Sequence, residues 1–96
     1  MADIPGATAP VRKTAHIDFH TINADGDKLF SIRENIPLED AIEQASCFAA
    51  TVADLVNQAA LDGDTYQLWA AAYLADMSKA ILDSACAAMY REKRHG

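Results

Sequence analysis

One break, Asp62-Gly63-Asp64, separates two long stretches of helical apolar spacing and points the chain toward a helical hairpin. Upstream of it, Leu38, Ala41, Ile42, Ala45, Phe48, Ala49, Val52, Leu55, Val56 and Ala59 recur three and four apart, with Glu43, Gln44, Thr51, Asp54 and Gln58 outside the stripe. Pro37 suits a first helical position and holds Ile36 out of the helix. Glu39, Asp40 and Glu43 then lie where the helix dipole favours negative charge. The spacing predicts a first helix over 37–61. Gly63 suits the left-handed conformation that ends a helix, and Asp64 can cap a second helix over 65–93, with Gln67 as its capping-box partner. A turn this short makes the two helices antiparallel neighbours.

The second helix sets a further condition. Its main stripe is Tyr66, Trp69, Ala70, Tyr73, Met77, Ala80, Ile81, Ser84 and Ala88, and beside it lie Leu68, Ala71, Leu74, Ala75, Leu82, Ala85, Cys86 and Met89. Only Asp76, Lys79 and Asp83 form a charged strip, spaced for i,i+3 and i,i+4 pairs. One partner helix covers only part of so wide an apolar surface, and soluble monomers rarely leave the rest open. Either N-terminal strands cover it or a second copy does. The many alanines favour close helix approach, and a twofold dimer forming a four-helix arrangement is the simplest closed solution. The line Leu74, Met77, Ile81 is the expected core, and Leu68 and Leu82 mark the flank left for a partner.

Ahead of the helices, residues 1–14 contain Pro5, Gly6 and Pro10 without periodicity and read as a flexible leader. Residues 15–96 then form a single domain. Within it, Ile17, Phe19 and Thr21 alternate with His16, Asp18 and His20, and Leu29-Phe30-Ser31-Ile32-Arg33 follows the turn-rich Asn23-Ala24-Asp25-Gly26-Asp27. These are two short strands over 15–34, read as one hairpin that needs the helices or another chain for stability. The fold class is mainly α: a long antiparallel helical hairpin preceded by short β-strands.

Charge and motif spacing narrow the function. From Glu34 to Asp83 the only base is Lys79, against nine acids, within a net charge of −6. Such a body repels phosphate, so no nucleic-acid partner is expected, and the terminal Arg91, Lys93 and Arg94 suit a helix C-terminus. No apolar run is long enough to span a bilayer and residues 1–10 lack signal-peptide character, so no membrane role and a cytoplasmic location are expected. His16 and His20 would stand about 13 Å apart on a strand, too far to share an ion. The Asn23-to-Glu34 window imitates a calcium loop but has Lys28 where that motif requires glycine. Cys47 and Cys86 are offset by roughly 10 Å across the hairpin, beyond disulfide reach. No serine has a histidine spaced to suggest pairing, so the chain reads as non-enzymatic, with no cofactor. Trp69 and Tyr73, one turn apart, are either core aromatics near the turn or anchors of a protein interface.

The segments Phe30-Ser31-Ile32-Arg33, Ile36-Pro37-Leu38-Glu39-Asp40-Ala41, Gln44-Ala45-Ser46 and Leu68-Trp69-Ala70-Ala71-Ala72-Tyr73-Leu74 together resemble a family of small helical pseudomonad proteins related to the quorum-sensing antiactivator QslA, over Phe30 to about Ala87. The resemblance implies a homodimer that binds the ligand-binding domain of a LuxR-type transcription regulator, prevents its dimerisation and silences it without touching DNA. The expected function is therefore a protein–protein interaction module, an antiactivator; the alternative is a structural homodimer or assembly subunit with no regulatory target. The candidate interaction residues are Phe30, Ile32, Leu68, Trp69, Tyr73 and Leu82.

Overall fold

The computed structural model describes residues 12–95, with side chains described from Arg12 to Arg91, and residues 1–11 of the expected leader lie outside that range. Two strands, β1 (Ile17–Thr21) and β2 (Lys28–Ile32), precede two helices, α1 (Leu38–Asp62) and α2 (Thr65–His95). The strands form an antiparallel pair with Ile17 opposite Ile32, Phe19 opposite Phe30 and Thr21 opposite Lys28. Their connection closes through Ile22 N–H donating to the Asp27 carbonyl at 2.9 Å. Asn23 side-chain bonds to Asp27 and a positive φ of +84° at Gly26 complete the turn. Asn23 and Asp27 thus serve a turn between the strands.

The start of α1 departs from expectation in an instructive way. Pro37 caps the helix with extended ψ and no side-chain cap, so the helix begins one residue later, at Leu38. The Leu38 N–H, one of the donors every helix start leaves unpaired, reaches the Arg12 carbonyl at 2.8 Å. Lys13 pairs with Pro37, and Thr14 donates its N–H to the Ile36 carbonyl at 2.8 Å. The Thr14 hydroxyl donates to the Arg33 carbonyl at 2.6 Å and accepts from Ile36 N–H at 3.1 Å. Thr14, expected in the leader, is therefore buried. Arg12 supplies one backbone acceptor that the start of α1 lacks, and Thr14 ties down the connection from β2 to α1.

Between the helices the turn behaves as read. Gly63 sits at φ +69° and its N–H donates to the Ala59 carbonyl at 2.7 Å. The Asp64 carboxylate accepts from Tyr66 N–H at 2.9 Å. Gln67 does not close a capping box; its side-chain amide donates to the Gln58 side chain at 3.2 Å, across the hairpin.

Where α1 meets α2 the buried side chains are small: Ala45 and Ala59 against Ala71, Ser78 and Ala85, with Leu38 and Ile81 as the large members of the core. The Ser78 hydroxyl donates to the Ala45 carbonyl at 3.3 Å, which small neighbours on both helices permit. Ile81 is buried as expected, while Leu74 and Met77 remain half-buried. A second buried strip of α2, Ala80 and Ser84, faces the N-terminal segment. There Ser84 donates to the Ala15 carbonyl at 2.5 Å and accepts from Ala15 N–H at 2.9 Å. The molecule is a slab of 55 × 39 × 17 Å with a radius of gyration of 17.0 Å. A compact domain of this length would have a radius of about 12.5 Å.

Candidate functional site

The strand pair packs over α2 and builds an apolar groove there. Phe19 and Phe30, opposite each other across the strands, bring their ring centroids to 5.7 Å. In a regular strand His20 would point away from Phe19. Its φ of +69° breaks that alternation, and the imidazole instead lies 5.3 Å from the Phe30 ring and 5.7 Å, edge-on, from Tyr73. A left-handed non-glycine residue stores strain that the surroundings must offset, here through two aromatic contacts. His20 Nδ1 also stands 3.9 Å from an Asp76 carboxylate oxygen on the groove's rim.

Phe19, His20, Leu29, Phe30, Tyr73, Asp76 and Met77 enclose a volume of about 330 Å³. Trp69 lies one turn of α2 before Tyr73, the two ring centroids 6.1 Å apart. Leu29 and Trp69 are each 57 % exposed, Tyr73 45 % and Phe30 42 %. These side chains are partly wetted, the arrangement of an anchor site more than of a finished core. Chemically the groove offers apolar contact and one rim carboxylate. Among the described residues no three histidine, cysteine or acidic side chains are grouped to hold a metal ion.

The six residues singled out from the sequence divide between places. Phe30 and Tyr73 line the groove, Trp69 lies beside Tyr73, and Ile32 is half-buried opposite Ile17 in the strand pair. Leu68 and Leu82 are exposed on another side of α2. Phe19, His20, Leu29, Asp76 and Met77 belong to the groove without having been singled out. The alternation of Phe19 and the pairing of the strands carried a signal for Phe19; the left-handed turn of His20 carried none. Of the charged strip, Lys79 pairs with Asp83 at 2.7 Å, and that carboxylate's hydrogen bond and charge hold the lysine's pKa above its ordinary 10.5. Cys47 and Cys86 are both free and exposed.

A family model described as a protein of unknown function, DUF3077, matches residues 14–88. The chain belongs to that family. The DUF3077 match opens at Thr14, the clasp of the α1 start, and runs through the strand pair, α1 and α2 to Ala88, so it includes the whole groove. No curated protein and no solved structure matches the chain. No helix among the described residues is long and apolar enough to cross a membrane.

Proposed function

We propose that this DUF3077 protein is a non-enzymatic, cytoplasmic interaction module that seizes another protein through the aromatic groove and so withholds it from its own assembly. The observation that carries this is the convergence of Leu29, Phe30 and Tyr73, all exposed, around one apolar cavity flanked by acid, with the exposed Trp69 ring beside Tyr73. Interfaces concentrate their binding energy in a few aromatic anchors set in such pockets. A volume of about 330 Å³ suits one or two side chains of a partner. The net charge of −6 favours a partner whose contact rim is basic. The resemblance to QslA-type antiactivators supports the ligand-binding domain of a LuxR-type regulator as that partner, silenced by sequestration.

The test is reconstitution of the purified chain with the ligand-binding domains of its host's LuxR-type regulators. A complex in size exclusion that Phe30→Glu abolishes, while the variant keeps its helical signal, is the expected outcome. Absence of a complex with any of them at tens of micromolar defeats the antiactivator reading. The alternative, a structural homodimer with no regulatory target, is favoured by a second feature, the open helical face.

A further inference from the structure

Most of the exposed large aliphatic side chains of the helices fall on one face, with Leu61, beside the hairpin turn, off it. On α1, Ile42, Ala49 and Val56 recur seven apart; on α2, Leu68, Ala75, Leu82 and Met89 do the same. The large members are 42–51 % exposed. At 100° per residue, each line lies about a fifth of a turn beyond its helix's buried strip, in the direction of increasing residue number. Because the helices are antiparallel, that same rotation carries both lines to the same side of the hairpin. The strand pair occupies the other side, against Tyr73, Met77, Ala80 and Ser84.

We infer that a second copy of this chain covers this face, stacking helix layer on helix layer about a twofold axis between them, with the aromatic grooves left outward. A seven-residue recurrence is the repeat that helices packed nearly parallel at about 20° require, so the occupant is itself a pair of long helices. The chain supplies such a pair with the matching repeat. Large Leu68, Leu82 and Ile42 alternate with small Ala75 and Ala49, so knobs on one copy have holes on the other. None of the seven residues is charged, in a chain of net charge −6, which makes this a side through which two copies can approach without placing acid on acid. The line on α2 is roughly 31 Å long at 1.5 Å per residue. Across two helix widths it covers on the order of 600 Å², close to the half-interface of a stable dimer.

The chain carries its own probes. Cys86 lies between Leu82 and Met89 on this face, whereas Cys47 lies nearly opposite the Ile42 line around α1, and both thiols are exposed in the single chain. Sedimentation of the native protein should give twice the 10.4 kDa chain mass. Across a dilution series, alkylation of Cys86 should be several-fold slower in the concentrated protein than in the dilute, while Cys47 reacts at one rate throughout. Leu82→Glu should halve the mass and abolish the protection of Cys86; Phe30→Glu should alter neither. A native mass of a single chain, equal rates at both thiols, or protection of Cys47 instead overturns the assignment. If Leu82→Glu unfolds, the thiol footprint of the native protein still decides.

Discussion

Ser84 shows how one hydroxyl can fasten a fold. It is fully buried and satisfies both the N–H and the carbonyl of Ala15, 69 residues away. Removing the oxygen leaves two backbone groups without partners in a place water does not reach, and each such group costs about 1–3 kcal/mol. Ser84→Ala should accordingly lower stability by about 2 kcal/mol or more in urea unfolding, although alanine is the better helix former. Gly63 offers the contrasting case. A methyl group there would meet nothing within 4 Å, so the only penalty of Gly63→Ala is the left-handed φ of +69°. That penalty is about 1–2 kcal/mol, with helix content in circular dichroism unchanged. Both residues are visible in the sequence, but only one role is. A glycine between two helical patterns announces a helix end, because its effect is local. A serine on an apolar stripe does not announce a partner on the other side of the chain.

Among the elements, both helices and their turn were legible because Pro37, the first-turn acids and Asp62-Gly63-Asp64 mark ends by local chemistry. The place of Thr14 was not, since it is held by long-range bonds to Arg33, Asn35 and Ile36 that no local pattern encodes. Nor was the division of α2 into faces. Apolar residues surround most of it, so periodicity could not say that Ala71, Ser78, Ile81 and Ala85 face α1 while Ala80 and Ser84 face the strands. Tyr66, placed on the main stripe, ends up 85 % exposed. With a core so rich in alanine, the few large side chains matter disproportionately. Ile81 is 7 % exposed, and truncation to alanine should cost roughly 2–5 kcal/mol and reduce cooperativity of the thermal transition. Leu74→Ala, at a half-buried position, should cost clearly less. Equal losses at the two would mean that the Leu74 side chain is covered in solution.

On the scale of the whole molecule, a slab 17 Å thick has two broad sides and little interior, and most of the exposed large side chains sort between them. Phe30, Trp69 and Tyr73 gather beside the strands with Leu29, and Ile42, Val56, Leu68, Leu82 and Met89 line the other side of the helices, while Leu61 and Tyr90 belong to neither set. Aromatic anchors in a groove suit a heterologous partner, while a uniform heptad surface suits a helical one, so the two sides answer to different occupants. The single tryptophan separates them experimentally. Trp69 is 57 % exposed beside Tyr73, on the groove side and away from the Leu68–Met89 line, so its emission in the free protein should be that of a wetted indole. Dilution through the self-association range should leave that emission unchanged, because the face being uncovered does not touch the ring. Binding of a groove partner should shift it to the blue and protect it from iodide quenching, and Tyr73→Glu should abolish that response while leaving the sedimented mass alone. A blue shift that tracks protein concentration in the absence of any partner would instead place the second copy over the groove, and the assignment of the two sides would have to be exchanged.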